Sequence, residues 1–263
     1  MASTVSEGLN ESLTSLLECP VCSEYMSAPI SLCINGHNIC ALCKNKVEVC
    51  PTCRGAFIQA RNLFAEHVAE KLLFSCKNAD YGCCEKLSGK CLDEHASVCP
   101  YRLYQCEPGL KTGCTWEGRR NEIYAHVKKM HELRARMKED NNIFIDNFDL
   151  SEELSAAQLI VAHGEIFWYR VKRDPSVRKF FIAVQYIGPQ NNASNYKYTL
   201  KFNGRNGVSR LVFSNYTLTD TLNISDIYQS GNCLSVDYGF IQNFLTCADT
   251  IEFKLKVEKV VQL

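Results

Sequence analysis

"CPVCSEYMSAPISLCINGHNIC", residues 19–40, sets four cysteines and a histidine into 22 positions. Carried on to residue 53, the spacing is Cys19-x2-Cys22-x10-Cys33-x3-His37-x2-Cys40-x2-Cys43-x6-Cys50-x2-Cys53. These eight thiol and imidazole groups suffice for two tetrahedral zinc sites, because each Cys-x2-Cys pair can fold as a tight turn that aims two thiolates at one ion. Consecutive pairs could fill consecutive sites, or alternate pairs could share them. Either way four protein ligands close each site and leave no position for water, so the metal is a scaffold and not a hydrolytic centre.

The rest of the chain sets the frame for this cluster. With 263 residues, 46% apolar and 22% charged, it is globular, with room for one large domain or two to three small ones. Lys plus Arg equals Asp plus Glu at 29 each, so no long-range field favours nucleic acid or an anionic membrane, and neither is expected as a partner. The opening MASTVSEGLNESLTSLLEC has no basic segment followed by an apolar run, and no later stretch approaches the roughly 18 apolar residues of a membrane span. We therefore expect an intracellular protein, in the cytoplasm with the nucleus as a second candidate, and unmodified Asn-x-Ser/Thr sequences at Asn10, Asn192, Asn215 and Asn223. Fourteen of the sixteen cysteines lie in residues 19–114. Clustered cysteines in a reducing compartment point to zinc rather than to disulfides.

A second cluster repeats with a period of about 30 residues. Cys76-x6-Cys83-x11-His95-x3-Cys99 is followed by Cys106-x7-Cys114-x11-His126-x4-His131. Two units of four ligands predict two more zinc sites, the first pair of each on a loop or hairpin and the second pair on or near a short helix, for which "NEIYAHVKKMH" is suited. Cys83 and Cys84 compete for one place; Gly82 before Cys83 mirrors Gly113 before Cys114, which favours Cys83. Cys84, Cys91, His67 and His163 stay out of the ligand set. The spacing differs from that of DNA-reading fingers, and residues 76–131 carry nine Lys/Arg against seven Asp/Glu, too little charge to hold phosphates.

From about residue 140 the text becomes strand-like: "EIFWYRV", "KFFIAVQYIG", "YKYTLKF", "SRLVF", "NCLSVDYGF" and "TIEFKLKV", with "NGRNG" at 203–207 as a turn. Apolar residues alternating with polar ones predict an antiparallel β-sandwich. No catalytic triad, phosphate loop or carboxylate pair stands out in it.

The order C3HC4 in residues 19–53 resembles the RING finger. That resemblance implies interleaved sites, Cys19, Cys22, Cys40 and Cys43 on one ion and Cys33, His37, Cys50 and Cys53 on the other. It also implies docking of a ubiquitin-loaded conjugating enzyme through Val21, Val47 and Pro51, with Arg54 as the basic residue that bridges the enzyme to ubiquitin. "CPVC", "CPTCRG" followed by "RNLFAEHV", the finger spacings and the order of parts are similar to the seven-in-absentia (Siah-type) ubiquitin ligases. The implied protein is multidomain α+β and zinc-rich, with four zinc ions per chain: a flexible N-terminus at 1–18, a RING at 19–54, a linker helix at 55–75, tandem fingers at 76–131 and a TRAF-like sandwich at 132–263. The implied function is that of a RING-type E3 ubiquitin ligase with no covalent intermediate of its own, leading to proteasomal degradation of substrates or adaptors held by a dimeric sandwich. The family's groove tryptophan has no counterpart in "SAAQLIVAHG", and the tryptophans here are Trp116 and Trp168, so no peptide-contact residue is carried over. The alternative is a non-catalytic TRAF-like adaptor, against which the intact Val21, Pro51 and Arg54 speak.

Overall fold

Short strands between and after the ligand pairs form a three-stranded antiparallel sheet in the order β2-β1-β3, with β1 at Ile30–Cys33, β2 at Asn38–Cys40 and β3 at Phe57–Arg61. The computed structural model describes residues 8, 10, 12–146, 148–205, 207–246 and 249–260. The turn from β1 to β2 is the "INGH" stretch, with Gly36 at φ +83°, a conformation that costs glycine nothing and other residues more. A one-turn helix, Ala41–Lys44, follows β2. Leu17, Met26, Ile30, Ile39, Ala65, Ala69 and Phe74 fill the core beneath the sheet together with Cys19 and Cys43.

Residues 55–75, expected as a linker helix, hold the helix Leu63–Lys71, which buries Ala65, Glu66 and Ala69, and also supply β3. The buried Glu66 carboxylate accepts from the Ile30 N–H at 2.9 Å and from the Arg61 guanidinium at 2.5 and 2.9 Å, so this segment is part of the first module and not a tether. The N-terminus is likewise packed where it is described. Residues 12–15 are helical, Leu17 is buried, and Asn10 bonds the backbone of Leu73. The rest of the expected flexible stretch, residues 1–7, 9 and 11, lies outside the described residues.

The two fingers share one construction. In the first, β4 (Phe74–Ser75) pairs β5 (Lys86–Leu87) and the helix Gly89–Val98 follows; in the second, β6 (Tyr104–Gln105) pairs β7 (Glu117–Gly118) and the helix Ile123–Met130 follows. The first cysteine of each follows the first strand, and a 3-10 turn ends at a left-handed glycine, Gly82 at φ +108° or Gly113 at φ +77°, just before the second cysteine.

Within the expected tandem-finger segment, 76–131, the two fingers fall into different compact units, Met1–Tyr101 and Arg102–Leu263. Their apolar faces account for this. Phe74 and Leu92 of the first finger pack with the core under the β1 sheet. Tyr104, Ile123 and Val127 of the second pack on Leu159, Ile166, Trp168 and Ile187 of the sandwich. Arg102–Asp220, Arg120–Glu165 and Arg170–Glu107 ion pairs surround that contact.

The sandwich joins two sheets. One runs β15-β12-β11-β10-β8 with β16 also on β12, and the other runs β14-β13-β17-β9. Its long strands, β10 (Leu154–Ala162), β11 (Glu165–Asp174), β12 (Lys179–Tyr186), β13 (Tyr196–Asn203), β14 (Arg210–Tyr216) and β17 (Ile251–Lys259), pair antiparallel. The short β16 (Leu234–Asp237) and β9 (Asp140–Ile145) do the same. Two-residue strands β8 (Ala135–Arg136) and β15 (Leu218–Thr219) pair in parallel with β10 and β12. Phe167, Tyr169, Phe180, Tyr198, Leu200, Phe202, Phe253 and Leu255 fill the space between the sheets. The "NGRNG" turn joins β13 to β14, closed by Gly204 N–H to Ser209 O at 2.7 Å.

Candidate metal centres and docking face

The fold brings all sixteen cysteine and histidine ligands named from the spacing into four groups. They are Cys19, Cys22, Cys40 and Cys43; Cys33, His37, Cys50 and Cys53; Cys76, Cys83, His95 and Cys99; and Cys106, Cys114, His126 and His131. Within each group the donor atoms lie within 4.8 Å of one another. In the first two, alternate pairs along the chain share a group. The antiparallel pairing of β1 with β2 causes this, because it lays Cys33 and His37 on one hairpin end and carries Cys40 back toward Cys19 and Cys22.

A tetrahedral ion with sulfur at 2.3 Å has edges of about 3.8 Å between sulfurs and about 3.5 Å between sulfur and nitrogen. Sulfur pairs Cys22–Cys40, Cys33–Cys53 and Cys76–Cys99 lie at 4.0, 3.7 and 3.8 Å. Sulfur–nitrogen pairs Cys33–His37, Cys83–His95 and Cys114–His126 lie at 3.5, 3.4 and 3.5 Å. The buried His131 Nε2 has no hydrogen-bond partner among the described residues, which suits a lone pair directed at a cation. The donors contain no carboxylate, which selects zinc over harder cations. Each of the four clusters could therefore bind a zinc ion.

The surroundings tune the donors. Backbone N–H groups point at sulfur from His37 to Cys33, from Cys43 to Cys40 and from Asn78 to Cys76, and the Asn35 amide donates to Cys53 at 3.3 Å. The Asn35 and Gly55 bonds hold the Cys53 thiol down at about 6. Burial, opposed by amide hydrogen bonds from Cys40, Cys22 and Val21, still leaves Cys19 at about 6, whereas burial among other thiols pushes Cys43 and Cys83 up to about 12. Four thiols in one place cannot ionise together without a cation, and binding of that cation is coupled to their proton release. Burial and the neighbouring His131 lower His126, which keeps it in the neutral, ligating form.

Asn35, Trp116 and Gly109 also shape these sites. Trp116 stacks on His126 with centroids 4.3 Å apart and an interplanar angle of 8°. A Cβ on Gly109 would sit 2.4 Å from Cys114 Cβ and 2.7 Å from His131 Nε2. None of these has a spacing rule of its own. Cys84 is exposed and turned to the Gly82 carbonyl, which leaves Cys83 as the ligand atom in its group. His163 sits outside all four groups, in the β10–β11 turn, bonded to Val257 O at 2.9 Å and Glu139 at 3.0 Å, and His67 is exposed.

The two Cys-x2-Cys turns of the first module share a closure. Ser23 N–H donates to Cys19 O at 2.9 Å and Arg54 N–H to Cys50 O at 2.7 Å, with both residues left-handed at φ +57° and +58°. Val21 stands on the first turn, 43% exposed. Pro51 and Arg54 stand exposed on the second, and the Arg54 guanidinium has no partner among the described residues. Val47 is half-buried against the core under the sheet.

Residues 19–53 match the family model described as the E3 ubiquitin-protein ligase sina/sinah RING finger, residues 67–144 the Sina zinc finger, and residues 160–257 the Sina TRAF-like domain. The chain is similar to the E3 ubiquitin-protein ligase sina of Drosophila virilis, 31% identical over 241 residues that cover 90% of this chain and 76% of that protein. It is similar to the E3 ubiquitin-protein ligase SIAH2 of Homo sapiens, 34% identical over 197 residues that cover 73% of this chain and 60% of that protein.

Proposed function

The chain belongs to the sina family of RING-type E3 ubiquitin ligases, and from that premise we propose that it docks a charged conjugating enzyme on its two Cys-x2-Cys turns while its sandwich holds the protein to be modified. A ligase of this class works with a ubiquitin-conjugating enzyme and a substrate. The thioester belongs to the conjugating enzyme. The ligase accelerates lysine attack by holding the mobile ubiquitin in one orientation, a gain from positioning and hydrogen bonding.

One observation carries the docking face: Arg54 is a non-glycine residue held left-handed just past a zinc turn, with its guanidinium exposed and unpaired among the described residues. A strained backbone persists where the surroundings enforce it, and here the Cys50 carbonyl fixes the base of the arginine. Val21 and Pro51 supply exposed apolar contacts, with Val47 beside them in sequence reading as the third. Recruitment of substrates or adaptors through the sandwich, a homodimer formed through it, and delivery of the product to the proteasome complete the proposal.

The test is discharge of ubiquitin from a panel of charged conjugating enzymes to free lysine. Wild-type chain accelerates it with at least one of them, and Val21→Arg and Arg54→Ala each lower the rate about tenfold or more, a loss of roughly 1.4 kcal/mol of transition-state stabilisation. No acceleration with any of the panel, in protein that retains its zinc, would favour the adaptor reading. Unchanged rates in both variants would remove the docking face.

A further inference from the structure

The outer face of the sheet β14-β13-β17-β9 carries more cations than acids, Lys197, Lys201, Arg210, Lys254 and Lys256 against Asp140, Glu252 and Glu258. Lys201 of β13 stands directly opposite Lys254 of β17, which in turn faces Asn142 of β9. Like charges in direct cross-strand opposition destabilise a sheet. The Lys201 and Arg205 side chains make no ion pair or hydrogen bond among the described residues, although the charge of Lys201 is felt by Glu258. Lys254 reaches only Asp140, at 3.4 Å, and both side chains are about half exposed, so solvent screens the pair.

Two hollows meet at this place. One of about 400 Å³ is lined by Lys201, Asn203, Arg205 and Lys254 among others, and one of about 630 Å³ by Arg136, Lys138 and Lys254. Both include Asn142 and Lys254, so together they form a trough across the strands. Its cations are Arg205, Lys201, Lys254, Arg136 and Lys138, and its acids are Glu252 and Asp140. Strands about 4.8 Å apart give a span that suits a few residues of extended chain.

We propose that this trough docks an acidic, extended segment of a partner protein, with carboxylates seated between Lys201, Lys254 and Arg205. Charge complementarity selects the occupant, because a carboxylate between Lys201 and Lys254 turns a repulsive cross-strand pair into two attractive contacts. A polynucleotide or an anionic membrane needs a broad positive field, and this face breaks its field with Glu252, Asp140 and Glu258 in a chain whose charges balance.

Fluorescence anisotropy of labelled octaglutamate with the zinc-loaded full chain tests the site. Binding at low salt is expected to weaken steeply toward physiological ionic strength. The double variant Lys201→Gln/Lys254→Gln is expected to bind about tenfold more weakly, as is Lys201→Glu, while Lys197→Gln, on the same sheet outside the trough, binds as wild type. Because the double variant removes a repulsive pair, its melting temperature should not fall. Octaglutamate binding that is absent at low salt, or unchanged in the double variant, would overturn the site. Tighter, Lys201-dependent binding of single-stranded DNA or phosphatidylserine vesicles would overturn the assignment to a protein partner.

Discussion

Gly109 shows how tightly the second finger's ligands are drawn together. Its position lies three residues past Cys106, where the first finger has Ala79 three residues past Cys76. A methyl group there would enter the space between Cys114 and His131, with the Cys106 sulfur at 3.0 Å. Contacts below 3.0 Å to a ligand cannot be relieved without moving it, so Gly109→Ala should cost about 1–3 kcal/mol in overpacking and weaken zinc at this site by roughly 10–100-fold. Chelator competition with a colorimetric zinc indicator reads this directly: one zinc in four leaves early in the variant, and the other three leave as in wild type. Uniform release would show that the fourth site tolerates the methyl. At this scale the ligands themselves were legible, because thiol and imidazole spacing follows from coordination chemistry. Gly109, Asn35 and Trp116 were not, because packing and outer hydrogen bonds depend on where the chain returns in space.

The two fingers repeat at the level of elements and diverge in what they pack against. Ile123 and Val127 are fully buried on Leu159 and Trp168, while Phe74 is fully buried under the β1 sheet. Ile123→Ala should destabilise the second unit by about 2–5 kcal/mol, and Phe74→Ala the first by about 3–5 kcal/mol. Hydrogen exchange separates the two: Ile123→Ala should lower protection in 104–131 and in β10 and β11 together, and Phe74→Ala in 19–101 alone. Loss of protection in both fingers from either substitution would mean that they act as one module after all. The hairpin-and-helix build of each finger was readable from the repeat. The partner of each was not, since one apolar face looks like another until its counterpart is known. The same limit applies to β10, whose "LSAAQLIVA" is covered on both sides by sandwich and finger and so shows no alternation to read. β12 has seven buried residues in a row for a similar reason, the helix Ile224–Ser230 covering its outer side through Ile227 on Phe181 and Ala183.

Across the whole molecule, stability comes from two sources that the sequence separates at about residue 131 and the structure at Tyr101. The first unit builds its cores around ligands, with Cys19 and Cys43 in one and Cys76, Cys83 and Cys99 in another. Among the described residues the sandwich core contains no ligand. Structural zinc contributes about 10–16 kcal/mol of apparent folding free energy per site at pH 7, more than the net stability of a small domain. Zinc removal under reducing conditions should therefore unfold the first unit completely and leave the sandwich folded, with the finger at 104–131 detaching from it. Metal analysis should find four zinc per chain before treatment, and circular dichroism should keep a β-rich spectrum after it. Hydrogen exchange should become unprotected over 19–101 while β11, β12, β13 and β17 stay protected, and ubiquitin discharge should vanish with the first unit. If the first unit stayed protected without zinc, its small apolar core would be sufficient alone and the clusters would not be what holds the docking face in place. If the sandwich strands lost protection in step with it, the second finger would be holding them together, and the ligand-free core would not be the independent body that its packing indicates.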